Sequence, residues 1–193
     1  MKILLILFGL TVSTIFAQTN ISKVSLEAGY VRNYQSDFGN NNLFTISPGI
    51  KIGGEFITDA FEWDLSLSYW HDGIDQVIPV ADQATYSYNS TNIELHLNYF
   101  PTDIIIPIHF ITGFSTRFIN EKYIGGSYLS GSHRNDNSFP MFSFDFGTGL
   151  NFEIEDIIRM RCDLLVFMPL STTEILPTKG WSSNIKIGID YKF

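Results

Sequence analysis

The strongest constraint on the fold is an alternation of apolar and polar residues that runs without a break through residues 185–193. A period of two is that of a β-strand whose two faces meet different surroundings. The strand stops on Phe193, so no following segment covers its edge, and an uncovered edge needs a partner. Pairing with the first strand of the same chain is the simplest solution, and it predicts a closed barrel.

The same alternation recurs along the chain and predicts an all-β fold, namely a closed, antiparallel, up-and-down, eight-stranded transmembrane β-barrel. The predicted strands cover residues 23–32, 43–57, 61–70, 90–100, 106–119, 139–153 and 157–169, and a last strand starts near Trp181. Each has roughly the 9 to 11 residues that a tilted strand needs to cross a bilayer, or more. No segment has a convincing helical period, and no linker or repeat points to a second domain.

The first residues read as an export signal. Lys2 supplies a positive start, residues 3–10 an apolar core, and Ala17 a small residue before a plausible cleavage site. We therefore expect a cleaved secretory signal peptide over residues 1–17 and a barrel over residues 18–193. The single cysteine, Cys162, excludes an intramolecular disulfide.

The predicted connections alternate in length. Residues 58–60, 101–105 and 154–156 form short turns, whereas residues 33–42, 71–89, 120–138 and 170–180 form long loops rich in Asn, Ser, Asp and Gly. An even number of strands places all the long loops at one end. Bacterial outer-membrane barrels have this asymmetry, with short periplasmic turns and long external loops.

The apolar face is predicted to point outward to lipid. It carries large residues on every strand, and these would overfill the narrow interior of an eight-stranded barrel. The polar face combines charges of both signs with repeated glycines, and aromatic residues gather near the strand ends, as they do in interfacial girdles. The alternative is a secreted lipid-binding barrel, which would turn its apolar face inward.

With these features the chain resembles the small eight-stranded outer-membrane barrels of the OmpA transmembrane-domain and OmpX type. The similarity covers nearly the whole of residues 18–193, in pattern rather than through a diagnostic motif. The most specific element is the last strand, in which Ile185, Ile187, Ile189, Tyr191 and Phe193 resemble the family's assembly signal. The resemblance implies that Ile189, Tyr191 and Phe193 are read by the outer-membrane insertion machinery.

The main candidate site is a set of charged residues on the polar face, expected to form a structural network inside the barrel: Glu27, Arg117, Asp145, Arg159, Arg161, Asp163, Lys186 and Asp190. Strand positions predict that Arg159 and Arg161 lie near Asp190. They also predict that Asp163 lies near Lys186, which could reach Glu27, and that Arg117 and Asp145 share an upper level. Opposite charges at this spacing on neighbouring strands can form ion pairs. Such a network either plugs the interior or lines an ion path.

No catalytic, cofactor or metal site is predicted. Ser132, His133 and Asp136 are the only compact set of nucleophile, base and acid, and no partner to orient the base is evident. His96 and His109 lie on polar faces near Glu94 and Asp64, without the spacing of a defined ligand set. The acidic residues of the second long loop, Asp72, Asp75 and Asp82, are expected to form a solvated face rather than a calcium site.

These features predict a bacterial outer-membrane protein with a non-enzymatic, structural or surface-interaction role. A narrow solute or ion channel of porin-like type is the alternative, and an outer-membrane lipid-modifying enzyme is the third possibility. The expected partners are outer-membrane lipid and lipopolysaccharide, the insertion machinery during assembly, and an extracellular ligand at the long loops. The net charge of -8 and the lack of a basic stripe argue against nucleic acid.

Overall fold

The computed structural model describes residues 21–33, 44–56, 58–77, 83–101, 106–127, 137–170 and 181–193. These residues form eight strands: β1 Lys23–Asn33, β2 Phe44–Phe56, β3 Thr58–Val77, β4 Gln83–Tyr99, β5 Ile108–Ser127, β6 Asn137–Glu155, β7 Ile158–Pro169 and β8 Ser182–Lys192. No helix in these ranges is long and apolar enough to cross a membrane. The predicted signal peptide and nearly all of the predicted loops 33–42 and 170–180 lie outside the described residues.

The strands form a closed barrel in which neighbours in sequence are neighbours in space. Every pairing is antiparallel, and β8 returns to pair with β1 along its whole length, for example with Gly188 opposite Glu27. This confirms the predicted fold class. We call the end where β1 begins and β8 ends the lower end, and the opposite end the upper end.

The alternation of the sequence becomes an outer and an inner face. Outward residues are apolar and exposed, with Leu26 71 % exposed and Ile187 57 % exposed, whereas inward residues on the same strands, such as Glu27 and Lys186, are buried. Contiguous apolar surface around a whole barrel is untenable in water, so lipid must cover it. The outward orientation of the apolar face is therefore confirmed.

Three strands continue beyond their predicted upper ends. β3 runs to Val77, β4 begins at Gln83, and β5 runs to Ser127. Residues 71–77, 83–89 and 120–127 are thus strand, and the prediction of long loops there was wrong. The alternation is lost in these segments because neither face of a strand meets lipid once it leaves the membrane, so pairing continues without a two-residue pattern in hydrophobicity.

The lower end is built from short connections and irregular pairs. β3 begins at Thr58, so the predicted turn at residues 58–60 was placed too late. The register shifts between Glu55 and Phe56 in β2 and between Glu153 and Glu155 in β6. Such bulges are common at the rims of barrels, where they end the pairing and redirect the chain.

Candidate functional site in the barrel interior

The barrel interior holds a dense set of charged side chains. Among the described residues, the buried cations are Lys23, Lys51, Arg117, Arg159, Arg161 and Lys186, and the carboxylates that face them are Glu27, Glu62, Asp64, Glu94, Asp145, Asp163 and Asp190. The opposite charges nearly balance in number. A buried charge is tolerated only when it is paired and hydrogen-bonded, so each must find its partners inside the barrel.

Arg159 links three strands at the lower end. Its guanidinium donates to both carboxylate oxygens of Glu62 on β3, at 2.8 and 2.6 Å, and to Asp190 on β8, at 3.0 and 2.8 Å. Lys23 on β1 contacts Glu62 as well and lies 2.6 Å from Asp64. The contact with Glu62 is bidentate, which is the stronger kind of arginine–carboxylate pair.

Arg161 occupies the centre of this lower group. It donates to Asp64 at 2.7 Å on β3 and to Asp163 at 3.0 Å on its own strand. The same guanidinium lies 3.2 Å from the side-chain oxygen of Asn98 and 3.2 Å from Nε2 of His109. Its contacts therefore tie β7 to β3, β4 and β5 across the interior.

Lys186 is the centre of a second group, farther toward the upper end. Its ammonium donates to Glu27 on β1 at 2.9 Å and to Glu94 on β4 at 2.6 Å. Each carboxylate also accepts a hydroxyl hydrogen bond from β3, Glu27 from Ser66 and Glu94 from Ser68. The second group thus crosses the interior in the same way as the first.

Lys51 and His96 complete the second group. Lys51 Nζ lies 3.5 Å from Glu27 and 3.8 Å from Asp64, so it stands between the two groups. His96 Nε2 lies 3.1 Å from Asp145, which also accepts a hydrogen bond from Ser115 at 2.9 Å. The charged interior is therefore continuous from β1 around to β8.

The predicted charge positions are only partly matched by the observed contacts. Arg159 and Asp190 are opposite each other in register and are hydrogen-bonded. Arg161 lies 3.8 Å from Asp190, and Lys186 contacts Glu27, so both contacts fall within the predicted groupings. Asp163 is opposite Lys186, yet the second partner of Lys186 is Glu94.

Arg117 departs from its predicted position. It lies opposite Met141 rather than beside Asp145, donates to Ser182 at 3.2 Å, and places its guanidinium 3.8 Å from the centre of the Trp70 ring. The separation arises because Asp145 pairs with Gly113, which lies lower on β5.

The set of charged residues predicted from the sequence leaves out five members of the network: Lys23, Lys51, Glu62, Asp64 and Glu94. All five lie at inward positions of the alternation, and that signal was available. Most of their partners, however, are on strands that are not neighbours in the barrel, as for Lys23 with Glu62 and for Glu94 with Lys186. Lys51 is the exception, since Glu27 and Asp64 are on the strands beside its own. Pairing across the interior cannot be read from register alone.

Glycines make room for the long charged side chains. A Cβ atom on Gly149 would meet Asp163 and the ring of His109, with His109 Nε2 only 2.7 Å away. A Cβ atom on Gly188, in contrast, would find its nearest neighbour, the carbonyl oxygen of Leu26, at 3.3 Å. Both glycines are buried inward residues. An added Cβ atom would overlap the charge network at Gly149, whereas at Gly188 it would meet the Glu27 side chain only at an ordinary contact distance of 3.5 Å.

We expect Gly149→Ala to lower the free energy of unfolding in lipid by about 1–3 kcal/mol, because an added methyl group in a filled interior forces its neighbours to move. Gly188→Ala is the matched control and should have a much smaller effect. Chemical denaturation of the two variants in lipid vesicles measures both values. Equal losses of stability would contradict the close packing of His109 and Asp163 around Gly149.

The described residues of the interior do not form a metal centre. In the part of the chain that the structure describes, no group of three or more His, Cys, Asp and Glu side chains could hold a metal ion. Within the charge network His96 faces Asp145 and Glu94, and His109 faces Asp163. Ser132, His133 and Asp136 lie outside the described residues.

Apolar residues replace charges on one part of the inward face. Val31, Trp70, Ile111, Leu165 and Phe167 are all buried and pack together as an interior apolar cluster. The rings of Trp70 and Phe167 meet edge to face with their centres 5.6 Å apart. Such a contact is a favourable arrangement of two aromatic rings. The sequence pattern, which assigned apolar residues to the outer face, did not predict this cluster.

Comparison by sequence gives no relative. No protein-family model matches the chain, and the search of curated proteins finds no match.

Comparison by structure finds small outer-membrane barrels. The chain superposes on Neisserial surface protein A with a TM-score of 0.61 at 12% identity, covering 91% of this chain and 99% of that one. Ail of Yersinia pestis, crystallised with the heparin analogue sucrose octasulfate, matches with a TM-score of 0.56 at 12% identity over 89% and 97%. OprG of Pseudomonas aeruginosa gives 0.55 at 8% over 90% and 97%.

Identities this low establish the fold and nothing finer. The fold joins an apolar, lipid-facing exterior and a polar, charged interior, and a closed barrel of strands is one of the two structures that can satisfy its backbone within a bilayer. The protein is a small eight-stranded β-barrel of the bacterial outer membrane.

Proposed function

We propose that the protein is a non-conducting outer-membrane barrel that carries strand extensions and loops at the cell surface for interaction with an external partner. Short turns of bacterial barrels face the periplasm, so the upper end faces outward. The observation that carries the proposal is the network of ion pairs spanning the interior from β3 to β7 and from β1 to β4. The proposed role involves no catalysis.

The ion pairs support a plug rather than a path. Arg159 contacts carboxylates of β3 and β8, as does Arg161, which holds Asp64 and lies 3.8 Å from Asp190. Lys186 bridges Glu27 and Glu94. An ion path needs charged groups that can exchange their partner for a passing ion. Groups already hydrogen-bonded to each other across a narrow interior are poor candidates for that exchange.

The upper end supports the surface role. The β3–β4 pairing continues to Val77 opposite Gln83, and β4 stays paired with β5 up to Ser127, so three strands carry the sheet beyond the apolar part of the barrel. Neisserial surface protein A and the attachment invasion locus protein Ail share this fold. Their names describe those proteins, and they support the proposal by analogy.

The charge of the upper segments restricts the partner. Residues 32–43, 71–89, 120–137 and 170–180 contain seven acidic and four basic residues. A polyanion such as the heparin analogue bound to Ail would be repelled by such an excess. We therefore propose a neutral or basic partner for this protein.

Conductance of the refolded protein in a planar lipid bilayer tests the plug. We expect no steady conductance from the wild type and a small conductance from Arg161→Ala, because this change breaks the lower group of ion pairs. Lys192→Ala, which alters only an exposed pair with Glu153, is the matched control and should stay closed. A steady, ion-selective conductance in the wild type would contradict the plug and favour the narrow channel.

The surface role is tested by shortening the β3–β4 hairpin, replacing residues 72–88 by a short turn. The barrel should still fold, since the segment removed lies beyond the lipid-facing residues, whereas attachment of cells displaying the protein should fall. If the variant is folded and exposed at the cell surface but attachment is unchanged, this hairpin does not carry the proposed role.

A further inference from the structure

The ladder that pairs β2 with β3 ends below the upper ends of both strands. The uppermost pair of their ladder is Gly49 with Ser68, although β2 continues to Phe44 and β3 to Val77. Among the described strands, this is the only place where two neighbours both continue past the end of their ladder. We call the unpaired stretch, residues 44–48 of β2 facing residues 69–73 of β3, the β2–β3 seam.

Pro48 explains where the seam begins. Proline has no backbone N–H and cannot donate to a ladder, so inside sheets it is confined to edges and bulges. On its other side β2 remains paired with β1 through Pro48, which is opposite Ala28, and on to Phe44. The missing donor therefore faces β3, and Pro48 creates a strand edge inside the wall of the barrel.

The seam opens on the lipid-facing surface. Pro48 is exposed on the outer face, and Tyr69, across the seam from it, is an exposed aromatic residue. Exposed tyrosines near strand ends mark the boundary between hydrocarbon and headgroups. The seam thus starts at the outer boundary of the membrane, where lipid chains meet their headgroups.

The interior apolar cluster lies behind the seam. Trp70 follows Tyr69 in β3 and turns inward, where it is 0 % exposed and packs in the interior apolar cluster with Val31 and Phe167. The cluster itself carries no charge, although the Arg117 guanidinium lies over the Trp70 ring and Ser47, within the seam, is a buried polar residue. Apolar surface therefore lies on both sides of an unpaired stretch of the wall.

We propose that the β2–β3 seam admits an acyl chain of an outer-leaflet lipid, which lies against Trp70 and the interior apolar cluster. Hydrocarbon is the chemistry that both sides of the seam offer, and the lipid face continuous with the seam supplies it. A chain in the seam would separate β2 from β3 and shield the unpaired edges from headgroup water. This binding site is distinct from the proposed plug and surface role.

Quenching of Trp70 fluorescence tests the site. The full chain with Trp63→Phe and Trp181→Phe retains Trp70 as its only tryptophan, and is refolded into vesicles of phospholipid brominated on the acyl chains near the glycerol. Bromine quenches a tryptophan that it contacts. We expect a clear loss of Trp70 fluorescence relative to unbrominated vesicles. A variant retaining only the exposed, lipid-facing Trp181 gives the full effect for comparison.

Two proline variants, made in the Trp70-only chain, test the route. Pro48→Ala restores the donor, so hydrogen exchange of the new amide should show protection and the quenching should fall. Pro140→Ala is the matched control, because Pro140 is also an exposed strand residue near the upper end, but it lies within an unbroken ladder to β5. Its quenching should match that of the parent chain. Folding of each variant is verified by the mobility shift between unheated and heated samples.

Three results would overturn the proposal. If brominated phospholipid does not quench Trp70 fluorescence, Trp70 is not in contact with lipid. Unchanged exchange or unchanged quenching in Pro48→Ala would remove the seam as the route. Quenching by free brominated fatty acid in plain vesicles, without quenching by brominated phospholipid, would assign the site to a free acid instead of a membrane lipid.

Discussion

Arg161→Ala is expected to lower the free energy of unfolding in lipid by about 3–5 kcal/mol, the cost of removing one partner from a buried ion pair. Arg161 is fully buried and donates to Asp64 and Asp163. Without it, the two carboxylates would remain in the interior with fewer cations to balance them. Urea denaturation in lipid vesicles measures the loss.

The matched control for Arg161 is Lys192, whose ion pair with Glu153 is exposed at the lower rim. Exposed pairs contribute about 0–1 kcal/mol, so Lys192→Ala should change stability little. Conservative replacement by Arg161→Lys should recover only part of the loss, because a lysine ammonium cannot make the forked contacts of a guanidinium. If Arg161→Ala is as stable as Lys192→Ala, the network does not hold the barrel together.

Ile187→Arg is expected to cost about 2–4 kcal/mol in lipid, because it places a charge near the middle of the bilayer. Ile187 is 57 % exposed on the outer face of β8, with Trp181 above it and Phe193 below it. Its neighbours on β7 and β1 are Cys162 and Ala28, and neither offers a counter-charge.

The control for Ile187→Arg must place the same charge at a different depth in the bilayer. Ile106 is exposed to a similar degree, but it lies in the connection before β5 at the lower end. Arginine near the interface costs only about 0–1 kcal/mol, so Ile106→Arg should be tolerated. The two variants are compared by denaturation in the same vesicles. Equal effects would contradict the placement of Ile187 at mid-depth.

The fold could be predicted because lipid imposes one rule on every strand. Outward residues such as Leu26 and Ile187 are apolar and inward residues such as Glu27 and Lys186 are polar, and the chain shows that rule as a period of two. The strand count, the antiparallel order and the pairing of β8 with β1 follow from it. The upper parts of β3, β4 and β5 could not be predicted in this way, because the rule applies only to residues within the membrane.

The site could be predicted only as far as neighbouring strands determine it. Arg159 and Asp190 are opposite each other on β7 and β8, so register is enough to bring them together. Arg159 and Glu62 are on β7 and β3, and they meet because an arginine side chain is long enough to cross a narrow interior. Lys186 contacts Glu27 on the neighbouring strand β1 and reaches across the interior to Glu94 on β4, although Asp163 is opposite it in register.

Pro48 was a visible signal whose consequence could not be read from the sequence. A proline within an alternating run points to an edge strand, yet a closed barrel has no edge strand. Only the pairing shows that β2 keeps its partner on one side and loses it on the other.

The contacts across the interior also govern how the barrel can form. Lys186 and Glu27 are 159 positions apart in the chain, and Arg159 and Glu62 are 97 apart. Contacts between such distant positions slow folding, because the entropy of closing a long loop is lost before any contact compensates for it. Each group of charges also lacks its full set of partners until β7 and β8 have joined the sheet. The charged interior therefore favours a late, concerted closure, in which the ion pairs form last and hold the completed barrel shut.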